Sequence, residues 1–282
     1  MCHPLGTGVR PMPSAIYRHF HYSPYRPLGA WLACLAVLTI AFLCGCESRR
    51  SYECMRTESA PEIDGRLDDT PWQRAAWTAD FVDIEGAKRP TPTYRTRAKM
   101  LWDDQYLYIA AELEEPHVWA TLRERDEIVF NDNDFEIFID PDGDTENYVE
   151  IELNALGTIF DLLLKRTYRD KGPAIREWNV PGLRSAVAVD GTLNDPSDRD
   201  RGWSVEAAIP WQAFEGLTSV KLPPEAGDVW RMNFSRVEWE HEIHQGKYSR
   251  VPGRPENNWV WSPQGLIDMH VPNRWGDVTF GD

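Results

Sequence analysis

The sequence predicts an all-β protein, a β-sandwich of antiparallel strands with only short helical turns. Three observations lead there. Short runs with period-two alternation of apolar and polar residues recur through residues 58–282. Turn residues such as Asp64-Gly65 and Pro141-Asp142-Gly143 separate the runs. No stretch carries the three-to-four spacing of a long amphipathic helix, and no internal repeat is visible. A body of roughly 230 residues suits one large all-β domain. The abundant tryptophans, spread along the chain, supply its core, because each ring buries a large area.

Residues 1–45 read as an export leader rather than as part of the fold. Arg10, Arg18 and Arg26 come with no acidic residue, and an apolar run over 28–43 follows. Leu43-Cys44-Gly45-Cys46 resembles the lipobox of bacterial lipoproteins, with Cys46 the residue to be lipidated and Met12 an alternative start. That arrangement implies an exported protein, lipid-anchored to a bacterial membrane on the periplasmic side or at the cell surface. Residues 46–57 then read as a short polar tether.

From residue 58 onward each element has a local reason. Pro71 and the following Trp72 to Trp77 suggest one helical turn. Residues 94–102 and 106–114 alternate on either side of Asp103-Asp104 and predict a hairpin, with Leu107, Ile109, Ala111 and Leu113 inward. Residues 117–125 read as a loop or short helix. Residues 183–190 and 202–209 predict strands, and Pro210 opens a helical turn through Phe214. Residues 228–239 predict a further strand, 250–273 a loop-rich stretch, and 275–280 the closing strand.

Residues 126–164 are the functional lead. Phe135, Ile137 and Ile139 share one face of the first run, and Glu136 shares the other with Phe138. In the second run Val149, Ile151 and Leu153 alternate with Tyr148, Glu150, Glu152 and Asn154. A loop of about six residues between the runs sets Glu136 nearly opposite Glu152, with Asn154 diagonal on the same face. A third strand follows, to Leu164. A row of hydrogen-bonding groups bordered by aromatics is a surface built to meet a polar ligand.

Charge and cysteine count narrow the partners. Loss of three arginines with the leader takes the net charge from −15 to about −18. That excludes nucleic acid and an anionic membrane surface as partners. Cys2, Cys34 and Cys44 leave with the leader and Cys46 carries lipid, so Cys54 alone remains, a small buried hydrophobe near the first strand. An intrachain disulfide framework and a cysteine-type zinc site are both excluded. His117, His241, His244 and His270 show no zinc spacing, and His241 and His244, three apart in a polar, irregular stretch, read as surface residues.

Several stretches together resemble carbohydrate-binding modules of family 9. They are Pro61-Glu62-Ile63-Asp64-Gly65 with Leu67-Asp68 and Trp72, Leu101-Trp102-Asp103-Asp104 before Tyr106-Leu107-Tyr108, and Asn133 through Asp140 (NDFEIFID). Gly202 through Trp211 (GWSVEAAIPW) and Trp275-Gly276-Asp277-Val278 fit the same pattern. The resemblance implies an immunoglobulin-like β-sandwich related to DOMON-type domains. It also implies an oligosaccharide or polysaccharide as ligand, structural calcium in some members, and non-catalytic glycan capture in carbohydrate catabolism beside a glycan-degrading enzyme. In the family's best-described site two aromatic rings clamp a sugar while a glutamate and other polar groups bond its hydroxyls. Carried over, the glutamate is Glu136, the first ring Phe130 and the strand asparagine Asn154. The second ring falls at Met269, which is not aromatic, and Glu152 stands where an arginine is expected. Trp259 or Trp261 is then the candidate for the missing ring.

Sugars present an apolar ring face and a rim of hydroxyls, so an aromatic platform with carboxylate acceptors matches both. Three other readings stay open. Glu136 and Glu152 could serve as the carboxylate pair of a glycoside hydrolase. Asp140, Asp142 and Asp144 alternate in a turn and suit calcium, as do the oxygens of 195–200, although neither matches a full EF-hand loop. DOMON-type relatives include haem-binding electron-transfer domains, for which Met100 or Met269 would be the axial ligand.

Overall fold

In the computed structural model, which describes residues 49–282, thirteen strands form one continuous sheet and two more form a separate hairpin. The leader 1–45, Cys46 and residues 47–48 of the expected tether lie outside the described residues. In chain order the first strands are β1 (Ser51–Arg56), β2 (Val82–Asp83), β3 (Thr96–Trp102) and β4 (Tyr106–Glu114). Next come β5 (Asp134–Asp140), β6 (Tyr148–Asn154), β7 (Ile159–Leu164), β8 (Ala174–Ile175), β9 (Arg184–Asp190) and β10 (Gly202–Pro210). The last are β11 (Val229–Glu238), β12 (His241–His244), β13 (Lys247–Arg250), β14 (Asn257–Val260) and β15 (Gly276–Gly281). The one α-helix among the described residues, α1 (Thr70–Arg74), is a single turn with proline in its first positions.

The sheet order is β8-β7-β6-β5-β11-β15-β1-β3-β4-β10-β9, with β14 branching from β11 to pair with β2. It folds on itself, so one core is lined by both halves. Phe135, Ile137, Ile151, Trp230 and Phe234 of one half meet Met100, Ile109, Val205 and Ile209 of the other. The expected inward set of residues 107–113 lies there, as do Trp203, Val205, Ala207 and Ile209 of β10.

The tether is a correction. Residues 51–56 are β1, and it pairs in parallel with β15 on one side and β3 on the other, joining the halves of the sandwich. Only Tyr52 and Cys54 face inward, so the strand carries two apolar residues among polar ones and reads as a polar segment. Cys54 is fully buried within it, and burial pushes its thiol well up. The predicted hairpin of β3 and β4 and the three-strand run β5-β6-β7 are as expected. The hairpin of β12 and β13 within 241–250 has no counterpart in the sequence reading.

The two outer faces differ in their cover. Over β3, β4 and β10, α1 seals a small cluster around Trp72, Leu101 and Tyr108. Buried Glu206 organises this lid, accepting bonds from Trp72 Nε1 (2.6 Å), Gly65 N (2.7 Å) and Asp64 N (2.9 Å). Gly65 is required there: its φ is +88°, and a Cβ would lie 2.5 Å from the Val187 carbonyl carbon. Over β5, β6 and β7 the cover is incomplete, and there the groove lies.

Candidate functional site

Register builds the floor. Glu136 pairs directly with Glu152, Asp134 with Asn154 and Phe138 with Glu150 across β5 and β6, as the assumed alignment requires. On the other side of β5, Ser235 of β11 lies opposite Glu136 and Val237 opposite Asp134. Since paired residues share a face, four carboxylates and the Ser235 hydroxyl gather on one patch. This face is not solvated. Asp134, Glu136, Glu150 and Glu152 are 0%, 5%, 5% and 1% exposed, because the walls rise around them.

Those walls enclose a groove of about 420 Å³. Phe130 stands on one side in a 3-10 turn, Val129–Asn131. Its N–H donates to Glu152 Oε2 (2.9 Å) and its carbonyl accepts from Trp239 Nε1 (2.9 Å). Tyr168 stands in the turn Tyr168–Asp170, which Thr167 caps. Phe130 and Tyr168 are 42% and 46% exposed, an unusual state for aromatic rings beside buried acids. Met269 and His270 complete the wall, and the His270 ring packs edge-on against Tyr168 at 4.5 Å.

The electrostatics follow from burial. Burial, then neighbouring Glu136, pushes Asp134 well above the usual carboxylate range. Burial raises Glu136 to about 7, eased by the Ser235 hydroxyl, which lies beside it without full hydrogen-bond geometry. Glu150 and Glu152 are raised by burial and by their acidic neighbours. Burial lowers His270 to about 4, so the imidazole is neutral at pH 7. Arg176 is the cation at the rim, and it acts on Glu150.

The structure brings Phe130, Glu136, Glu152 and Met269 together, and three expected ligand residues fall elsewhere. Trp259 and Trp261 point into the inner core, at 5% and 1% exposure, so neither supplies the missing ring. Trp259 stacks edge-on with Tyr94 and under the Arg236 guanidinium, while Trp261 fills the space against Gly276. Asn154 lies beside Asp134 in the sheet, but its polar atoms are spent. Its Nδ2 donates to Leu122 O and Asp132 Oδ2, and its Oδ1 accepts from Leu156 and Thr158 N–H. Tyr168 is the second exposed ring, and the sequence offered only a lone aromatic in a polar loop. His270, without an assigned role in the sequence, is buried in the wall. His241 stacks against His117 at 4.8 Å rather than standing free.

Asp140, Asp142 and Asp144 place carboxylate oxygens within 4.8 Å of one another. Asp140 accepts from Gly143 and Thr145 N–H, Asp142 Oδ2 from Thr218 and Ser219, and Asp144 Oδ1 from Glu146 N–H. The oxygen lone pairs left over suit a hard cation such as calcium in donor type and charge. In the 195–200 loop the acids instead close the chain on itself, Asp200 accepting from Val118 and Thr192 N–H. Met100 is fully buried in the inner core, whereas Met269 belongs to the outer cluster beside the groove.

Comparison with known proteins places this architecture. Over 154 residues, 55% of this chain, it is 26% identical to exoglucanase XynX of Acetivibrio thermocellus. The same share is 26% identical to endo-1,4-beta-xylanase A of Thermoanaerobacterium saccharolyticum. The chain spans only 12% and 11% of those two proteins. Among solved structures, a family 9 carbohydrate-binding module of Caldicellulosiruptor kristjanssonii, in complex with cellotriose, superposes with a TM-score of 0.54 at 16% identity. That match covers 82% of this chain and 94% of the module, and the module has also been solved with glucose. A Bacteroides uniformis protein proposed to bind carbohydrate gives 0.59 at 17% identity, covering 83% and 100%. These likenesses establish the β-sandwich. The model of the carbohydrate family 9 binding domain-like family matches residues 63–222, more than half of the chain, and the chain belongs to that family.

Proposed function

We propose that the domain binds an oligosaccharide or polysaccharide in the groove, without catalysis, on an exported lipid-anchored protein that works beside a glycan-degrading enzyme. One observation carries the reading: two exposed rings, Phe130 and Tyr168, line the same groove as buried carboxylates. A pyranose has an apolar face for the rings and hydroxyl donors for the acids. The complexes of the Caldicellulosiruptor module with cellotriose and glucose support glucose-type sugars as first candidates. The enzyme partner is supported by the hydrolases among the relatives. The anchor at Cys46 is supported by the lipobox-like residues 43–46.

Glu136 and Glu152 serve this reading better than hydrolysis. They lie side by side in one floor rather than on opposite sides of a sugar, and Glu152 is occupied by the Phe130 N–H. Calcium in the 140–144 loop has a structural role in this proposal, fixing the turn between β5 and β6. The test is calorimetry of the purified chain in detergent against cellotriose, xylotriose and other oligosaccharides, before and after borohydride reduction of their ends. Heat of binding that disappears in Glu136→Ala supports the groove. Silence across the panel from a folded protein sinks the reading.

A further inference from the structure

We propose that the groove floor is a divalent-cation site, calcium by its donors, and that the bound ion presents open coordination positions to sugar hydroxyls. The sugar-bridging half of this inference rests on the carbohydrate reading above; the cation half does not. Asp134, Glu136 and Glu152 each bring an oxygen within 4.8 Å of the others. That span is what ligands about 2.4 Å from one ion can bridge. Acids alone would not make a site, since exposed clusters are common. Here the three are at most 5% exposed, and no cation among the described residues forms an ion pair with them.

A second observation is independent of the acids. Ser235 is fully buried, its Oγ has no hydrogen-bond partner, and its register sets it opposite Glu136 on the groove face. A buried hydroxyl left unsatisfied costs roughly 1–3 kcal/mol, and ligation to an ion would relieve it. Asp134 Oδ2 is likewise buried without a partner. The floor thus combines carboxyl groups that no cation among the described residues pairs with and two buried oxygens without a full hydrogen bond.

The remaining chemistry fits an ion with open positions. Asp134 Oδ1 and Glu152 Oε2 already accept backbone N–H groups of Val237 and Phe130, which hold the carboxylates in place. Calcium takes six to eight oxygens, about two more than three carboxylates and one hydroxyl supply when some bind through a single oxygen. Phe130 and Tyr168 leave the space above the floor open to the groove. Two adjacent hydroxyls of a pyranose supply the missing pair. The ion would then do what a fixed positive side chain does elsewhere, drawing in hydroxyl oxygens where the carboxylates alone accept only their protons.

The experiment uses the full chain in detergent, stripped with chelator, with Asp142→Asn and Asp144→Asn introduced to silence the 140–144 loop. Calcium is titrated by calorimetry, with circular dichroism confirming the fold of each variant. One remaining site is expected, weakened at least tenfold by Glu152→Gln and several-fold by Ser235→Ala. Absence of that site, or a site indifferent to both changes, overturns the proposal. Cellotriose is then titrated with and without calcium. At least tenfold tighter sugar binding with calcium is expected, and equal binding in both overturns the bridging role. Calcium binding with no sugar binding in either arm would remove the carbohydrate reading and the bridging role together, while leaving the cation site standing.

Discussion

Truncating the exposed rings tests whether they form the platform that a sugar would rest on. Phe130 is 42% exposed. For a side chain of roughly 200 Å², that leaves about 80 Å² in solvent, of which one pyranose in the groove would cover about half. At about 25 cal/mol per Å², Phe130→Ala removes about 1 kcal/mol of affinity, close to fivefold in Kd. Tyr168, at 46% exposure, carries a similar share. The double variant should therefore lose about 2 kcal/mol, close to thirtyfold, if the rings act independently. Because each ring is also more than half buried, urea unfolding of both variants should show a loss of roughly 1–3 kcal/mol, and the affinities are read on protein that circular dichroism shows to be folded. Calorimetry with the best-binding oligosaccharide reads the affinities. Unchanged Kd in both single variants, with sugar still binding, would refute the platform and move the site off this groove.

Three further outcomes test the framework that holds the site. Arg236, 1% exposed, bonds Glu115 and Glu238 (both 2.7 Å), so Arg236→Met should cost about 3–5 kcal/mol in urea unfolding at pH 7.5. In the parent protein, burial and then Glu238 raise Glu115 to about 9, above its unfolded value near 4.5. This group's stabilisation is therefore present in acid and lost as pH climbs through 9, and the midpoint of thermal unfolding should fall between pH 6 and 9. Glu206→Gln leaves one of the two buried donors Trp72 Nε1 and Gly65 N without its carboxylate oxygen, at a cost of about 1–3 kcal/mol. A Tm drop of roughly 2–4 °C per kcal/mol should follow in calorimetric scans, and a shift under about 1 °C would remove Glu206 as the organiser of the lid.

How much was legible in the chain depended on whether a residue's role was set locally. The register of Glu136 against Glu152 followed from period-two alternation and a compact turn, and the structure pairs them directly. The core faces of β4 and β10 were legible for the same reason. β1 was not, because a central strand with only two inward side chains looks like a polar linker until its neighbours are known. Trp259 and Trp261 lie in a stretch without clear alternation, so nothing local fixed which face they take, and the inner core claimed them. Asn154 had the right chemistry on the expected strand. Its donors and acceptors were consumed by the loops at 122 and 156–158, a competition visible only in three dimensions. Tyr168 had no signal at all, since a single aromatic in a polar loop carries no period. Its importance comes from where the Thr167-capped turn sets it down.

The place of β1 in the sheet has a mechanical consequence. A pull on the residues before Ser51, such as a membrane tether would transmit, enters the fold at the strand that joins its two halves. β1 runs parallel to β15 over five paired positions, from Ser51 with Asp277 to Met55 with Gly281, and also touches β3. Drawn along its length, it cannot peel away one bond at a time: the ladder on both sides takes the load together, in shear. A domain that held a polymer while fastened at its own start would meet such a load, and a first strand placed like β1 would bear it.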